Sequence, residues 1–568
     1  MNTTIDLPVI LLLFSPLAAA IISICGKFIP SRYTEWPGFI VWIAGSITAL
    51  AAAFPVIASG ATLQYSLGGW AEPLGISLEI TGLTWIATLT DIIIASSAWL
   101  CTRRSGQSTP LFYFFFFMAL FSLQGVLCTR DIFNLFVWFE VLSLSSFVLI
   151  SYDRSLISRI AAFRYLLISS MSILLFLIGV WILYQLFGEL GLVQIGIKAR
   201  ALRTGGSPPS YSRAAGAAAG LITAGILTRA AIIPFHTWLP DAHSAAPYQV
   251  SALLSGFVIK APMLALWRIF DAFSFPELLD LLIWIGGICA LWGVLAAMVQ
   301  RDAKKLLGYH SVSQMGYIIA AFGAGSRLGR TAALFYIIAH ALFKSLLFLS
   351  VGRVTVGVGS RDVYAIRGGA RRFPADTFFF IIAAASISGI PFFAGFTGKI
   401  LVTESLYGHP VSYMLLAAGV GTAASFFKLA RIFTGKPSPE EPSPGEHGSV
   451  QEEDTKVSVS AFIGMSIVAA GCIILGAFPG IVDRGIESLA TGSTRMLKAS
   501  FIDWYSLSHL KKASFSIGSG FLLSFLLVSG PGRSLSHIVR GLKTGLNGSL
   551  RLILLGFLVL IIFTALSY

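Results

Sequence analysis

Apolar runs close to twenty residues long recur from one end of this chain to the other, and they decide what it can fold into. A helix rises about 1.5 Å per residue, so about twenty residues cross the roughly 30 Å hydrocarbon core of a bilayer. Such runs fall near 7–25, 36–58, 80–100, 110–128, 131–151, 162–186, 215–235, 247–270, 279–299, 306–323, 331–352, 375–397, 411–433, 457–479, 513–530 and 548–567. Only 12% of the 568 residues are charged, whereas soluble domains carry about a quarter. The expectation is an all-α polytopic membrane protein with 14–16 transmembrane helices. The first run has no basic leader and no cleavage pattern, so it reads as a retained helix.

The formal net charge is +14, and the bilayer explains it better than nucleic acid does. Lys and Arg cluster in short loops: Lys27 and Arg32, Arg103 and Arg104, Arg301, Lys304 and Lys305, then Arg353, Arg361, Arg367, Arg371 and Arg372. By the positive-inside bias these loops share the cytoplasmic side and the N-terminus lies outside. Loop 187–213 runs against the bias. The five cysteines include no C-x-x-C, so neither a disulfide framework nor an iron–sulfur site is expected. No G-x-G-x-x-G or Walker sequence occurs, and no cofactor is expected.

Residues 435–456 are rich in Pro, Ser, Gly and Glu and read as a flexible acidic loop. Around it the chain divides into N-terminal membrane helices (1–109), two blocks (110–270 and 279–434) and a C-terminal membrane extension (457–568). The two blocks share a feature. AAIIPFHTWLP (230–240) and SISGIPFFAGFTGK (386–399) each put a proline, Pro234 and Pro391, near the end of an apolar helix. Proline deletes one helical hydrogen bond and clashes with the preceding turn, so both helices are expected to break there. Paired broken helices suggest a duplicated transporter unit with ion sites at the breaks, although two unrelated kinks would read alike.

Charged residues inside apolar runs are the strongest functional signal. Glu140 sits in FNLFVWFEVLSLSSFVLI, and a lone carboxylate at bilayer depth costs roughly 3 kcal/mol. It therefore faces protein, a cation or water. Arg229 lies five residues before Pro234, Lys260 lies deep in the next helix, and Lys399 ends the second broken helix. His340 and Lys344 are four apart and share one helix face. A row of titratable groups is what stepwise proton transfer requires, and a structural salt bridge or a satisfied core histidine is the plainer reading of any single member. His236, Asp241 and His243 raise a metal question, but no fourth ligand is near and no metal is expected. His236 and His243 instead read as feeding protons toward Lys260.

Five stretches carry a family likeness: 131–150, 234–260, 300–318, HALFKSLLFL (340–349) and GIPFFAGFTGK (389–399). Here the chain resembles the proton-conducting, antiporter-like subunits of complex I and of the multisubunit Mrp cation/proton antiporters, and among the latter it looks most like the D-type subunits. The resemblance covers roughly 75–435. It implies two inverted five-helix repeats, each containing a broken helix. It also implies proton-path roles for Glu140, Lys260, His340, Lys344 and Lys399, and a membrane complex of hydrophobic subunits moving H⁺, sometimes exchanged for Na⁺. Two positions depart from the pattern: Arg229 stands where relatives carry Lys, and Thr81 where they often carry Asp. Arg keeps its charge where a buried Lys can release its proton, so Arg229 is expected to hold Glu140 ionised rather than relay. The function expected is a proton-translocating subunit of a Na⁺/H⁺ antiporter in a prokaryotic plasma membrane. The alternatives are the proton-pumping membrane subunit of a redox complex (NADH dehydrogenase or membrane-bound hydrogenase) and a non-conducting assembly scaffold.

Overall fold

The computed structural model describes residues 3–26, 35–70, 72, 75–102, 109–204, 209–273, 275–435, 457–491 and 502–528. The acidic segment from residue 436 and the apolar run 548–567 lie outside the described residues. The first block holds α1 (Thr3–Cys25), α2 (Glu35–Ala58), α3 (Gly82–Thr102), α4 (Pro110–Cys128), α5 (Ile132–Ile150), α6 (Leu156–Phe187), α7 (Leu192–Thr204) and α8 (Pro209–Arg229). Then come α9 (Trp238–Ala245), α10 (Tyr248–Leu253), α11 (Ala261–Ala272), α12 (Pro276–Met298), α13 (Ala303–Gly323) and α14 (Arg327–Val358). The remainder is α15 (Gly369–Arg372), α16 (Pro374–Ser388), α17 (Ala394–Ser405), α18 (Val411–Ala430), α19 (Val459–Ala477), α20 (Pro479–Thr491) and α21 (Leu507–Val528).

Among the described residues, 11 helices are long and apolar enough to cross a bilayer, and the chain is an integral multi-pass membrane protein. The other expected spans within this region are helical too. They fall short by length or polarity: α8 and α16 stop at breaks, and α13 carries Lys304, Lys305, His310 and Gln314. Local chemistry sets the helix ends. Asp131 caps α5 through the Asn134 amide (2.6 Å), Asp302 caps α13 through Lys305 (2.8 Å), and Ser326 caps α14 through Gly329 (3.0 Å). Gly188 and Gly359 end α6 and α14 in the left-handed region, where glycine meets no steric penalty.

The apolar core is dominated by α14 and the α10–α11 stretch, both buried along their full span windows. Small residues let helices approach closely. A Cβ on Gly316 would lie 2.4 Å from the Ala290 nitrogen, so α12 and α13 meet almost backbone to backbone.

Loop 59–79 differs from a plain loop. Its Leu63–Ser66 and Ser77–Ile80 pair as an antiparallel hairpin, with Leu63 opposite Ile80. Loop 187–213 likewise contains α7. The basic loops gather at the opposite end of the bundle: Asp302 bridges Asp362, Arg301 pairs with Asp362 at 3.0 Å, and the Gly369 amide bonds the Ile432 carbonyl.

Both expected helix breaks are present. α8 stops at Arg229, Ala231 takes φ 53°, and α9 resumes at Trp238. α16 stops at Ser388, Gly389 takes φ 81° and Phe392 φ 72°, and α17 resumes at Ala394. A third interruption departs from the continuous helix expected over 247–270. Residues Leu254–Val258 form a π turn, and Lys260 and Pro262 follow it directly. Pro262 has no amide to give the preceding turn, so the widened turn accommodates the loss.

Candidate functional site

Arg229 is the last residue of α8, and the break beyond it leaves the guanidinium free to reach across to α5 and α6. Its Nη2 lies 3.2 Å from Glu140 Oε1, and Nη1 donates to Ser143 Oγ (2.7 Å) and the Phe139 carbonyl (3.1 Å). Its face lies 4.9 Å from the Phe139 ring centroid. Ser143 in turn meets Ser169 Oγ at 2.9 Å. The Arg229 side chain is 6% exposed and that of Glu140 35%. The cation is thus sealed inside, and the carboxylate sits at the edge of the bundle. A planar guanidinium with several donors suits this three-acceptor geometry in a way that one ammonium does not. A narrow cavity lies beside Arg229, lined also by Tyr165, Trp238, Val258 and Pro262 of α11.

The second cluster surrounds the π turn. Lys260 is fully buried and donates to the Ser255 carbonyl, which the widened turn leaves without its α-helical partner. Lys344 on α14 is fully buried and donates to the Leu307 carbonyl at 2.6 Å. His340, one turn earlier on α14, feels the charges of Lys260 and Lys344 and faces His243. His243 stacks on Phe348 with ring centroids 4.4 Å apart and feels Lys344, Lys304 and Lys260. The ring nitrogens of His243 and His340 have no protein partner among the described residues. The four groups are gathered, but no direct hydrogen bond joins one to another among the described residues. A proton moving between them needs side-chain rotation or water.

The third cluster is at the second break. Lys399 Nζ donates to the Ile387 carbonyl at 2.8 Å, and its stem lies over Gly389, where a Cβ would come within 3.2 Å of Lys399 Cδ. The first break has the same device: the Trp238 indole donates to the Thr228 carbonyl at 3.0 Å. Each break thus frees a carbonyl that a side chain beyond the break satisfies, as an apolar interior demands.

Some expected residues stand apart. His236 packs 6.4 Å from the Tyr309 ring, away from the lysine cluster contacts. Asp241 is held between Arg164 and Lys305 at the basic end. Thr81 pairs with Thr84 at 3.1 Å.

Among the buried ionisable groups that sequence reasoning passed over are His310, Lys428 and Asp91. His310 on α13 is fully buried with its ring 4.9 Å from that of Phe426, and Lys344, Lys428 and Lys399 are the charged groups around it. It stands within the stretch 300–318, and its signal was a histidine inside an otherwise span-length helix. Lys428 is fully buried and donates to the Met298 (2.6 Å) and Gln300 (2.7 Å) carbonyls. Asp91 on α3 is fully buried, with Gln124 Nε2 3.1 Å from Oδ2.

Interrupted helices and ionisable side chains sealed within a membrane bundle define the class: a polytopic membrane protein built around an intramembrane row of titratable groups. Residues 129–425 match the family described as NADH:quinone oxidoreductase/Mrp antiporter, TM, and the chain belongs to that family. NADH-quinone oxidoreductase subunit N of Desulforudis audaxviator is 30% identical over 460 residues, covering 76% of this chain and 89% of the relative. The D-type subunit of the Na(+)/H(+) antiporter of Alkalihalophilus pseudofirmus is 28% identical over 375 residues, covering 64% of this chain and 74% of the relative. In fold, the chain resembles one in the Mrp complex from Dietzia sp. DQ12-45-1b, with a TM-score of 0.75, 20% identity, and 93% of this chain and 100% of that one covered. A chain of an archaeal membrane-bound sulfane sulfur reductase also gives 0.75, at 22% identity, covering 90% and 99%.

Proposed function

We propose that this chain is the proton-translocating subunit of a multisubunit Na⁺/H⁺ antiporter in a prokaryotic plasma membrane. Protons pass along Glu140, Lys260, His340, Lys344 and Lys399, with His310 joining the last two. Arg229 stands beside Glu140 as a fixed cation rather than a relay, and His236 and His243 serve the basic end. The observation that carries this reading is the full burial of Lys260 and Lys344 and the partial burial of Lys399, each ammonium set on a backbone carbonyl beside a helix interruption or an unpartnered imidazole. An ammonium with a single neutral acceptor, and no carboxylate to hold it, is free to give up its proton. The two blocks, 110–270 and 279–434, act as inverted repeats in this reading, supported by their matched breaks. Other hydrophobic subunits flank the chain in this reading, since the chains it resembles in fold belong to an Mrp complex and a respiratory membrane complex.

The test is Na⁺-driven proton exchange in vesicles carrying the native complex. Glu140→Ala and Lys399→Ala should each abolish it, and full exchange in both would overturn the reading. The second reading, a proton-pumping arm of a redox complex, is favoured by the 30% identity to an NADH-quinone oxidoreductase subunit. Purification of the native complex in mild detergent separates the two. Small hydrophobic partners alone mean an antiporter, and flavin, iron–sulfur or nickel proteins mean a redox pump.

A further inference from the structure

The family match ends at residue 425, yet the wall of the Lys399 site continues beyond it. A cavity beside Lys399 is lined on the bundle side by Tyr317, Gly389 and Thr403 and closed on the other side by His509, Lys512 and Ser516 of α21. The chain leading into α21 is clamped there. Tyr505 donates to the Gly476 carbonyl at 2.6 Å and stacks on Phe392 and Phe396, at and just past the second break.

At the end of α17, Glu404 Oε1 lies 3.3 Å from His509 Nε2 and 3.9 Å from Lys512 Nζ. The other ring nitrogen, His509 Nδ1, lies 3.0 Å from the Asp503 carbonyl oxygen. A carbonyl accepts only, and so does an ionised carboxylate. Both imidazole nitrogens therefore face acceptors, and the pair is satisfied only when it holds an additional proton, on the ring or on Glu404. The His509 side chain is 10% exposed and that of Lys512 is 53% exposed, so the pair stands between solvent and cavity.

We propose that His509 and Glu404 form the proton-exchange site through which Lys399 communicates with water, at the end of the bundle opposite the basic loops. Helix α21 is then part of the ion path and not an anchor. The titratable groups that line the cavity with His509 are Lys399 on α17, Tyr317 on α13 and Lys512 on α21; α18 lines it with Leu415, Leu416 and Gly419, none of them titratable. The pair holds its proton while Lys399 is charged, and passes it inward once Lys399 has discharged along the row. Lys512, competing for the same carboxylate oxygen, favours release.

This inference rests on the proton-path reading, and the experiment separates the two. In the native complex with Cys25→Ser, Ser516→Cys is treated with a membrane-impermeant charged methanethiosulfonate. Labelling is expected, and its absence would show a sealed cavity and overturn the proposal. His509→Gln and Glu404→Gln keep side-chain size, and complex yield checks their folding. Exchange is expected to fall about tenfold or more in each, with an altered pH profile, the scale of losing a positioned proton donor. If Lys399→Ala abolishes exchange but both variants keep the native rate and profile, this inference fails alone. If Lys399→Ala exchanges normally, the path reading fails with it.

Discussion

Arg229 meets three acceptors from α5 at once: Glu140 Oε1 at 3.2 Å, Ser143 Oγ at 2.7 Å and the Phe139 carbonyl at 3.1 Å. The carboxylate is a third exposed while the guanidinium is sealed, so the pair fixes a permanent positive charge beneath a carboxylate at the bundle edge.

Replacing Arg229 by Lys keeps one charge and loses the fork. At least one of the three contacts is lost, a cost on the order of 2 kcal/mol for a hydrogen bond involving a charged group. Lys also gains the ability to discharge. Exchange measured against pH should therefore show a lower maximum and a different profile. An unchanged profile would mean that Arg229 does not tune Glu140.

Gly256 lies in the π turn, and a Cβ there would sit 2.6 Å from Ser345 Oγ and 2.7 Å from Ile94 Cγ2. Gly256→Ala should destabilise by about 1–3 kcal/mol through overpacking and displace the turn that carries Lys260. Thermal unfolding in detergent reads the first effect, and exchange reads the second. Adding Ser345→Ala removes the nearer clash and should restore part of the loss.

Lys428 ties α18 to the end of α12. It caps the Met298 and Gln300 carbonyls at the end of α12. Lys428→Met preserves bulk and leaves both carbonyls without their donor, at a cost on the order of 2 kcal/mol. The expected result is a lower thermal midpoint and reduced complex yield.

Asp131 lies outside the membrane span and caps α5 through the Asn134 amide. Burial raises its carboxyl above the ordinary range, against the opposing hydrogen bonds from the Asn134 and Phe133 amides. The folded chain thus holds the proton more tightly than the unfolded one. Stability falls as pH rises from the ordinary carboxylate range through the raised value, and is constant above it. Asp131→Asn should keep the cap and flatten that acid-side dependence. Asp131→Ala should lose about 1 kcal/mol through loss of the cap. Thermal midpoints measured across acidic pH distinguish the three chains.

The apolar spans, both proline breaks and the buried Arg229, Lys260, His340 and Lys344 were legible in the sequence. The reason is the solvent. Bilayer cost makes every charge inside an apolar run conspicuous, and proline removes a helical bond wherever it falls. Which acceptor each charge meets follows from the packing of the helices alone. Lys260 on the π-turn carbonyl, His310 near Lys344, Lys428 and Lys399, and the edge position of Glu140 depend on how separate helices pack. The contact between Glu404 and His509 joins residues 105 apart, and no local pattern encodes it. Hydrophobic periodicity reports which residues shun water, whereas the pairing of buried polar groups is settled by the few partners the finished packing leaves within reach.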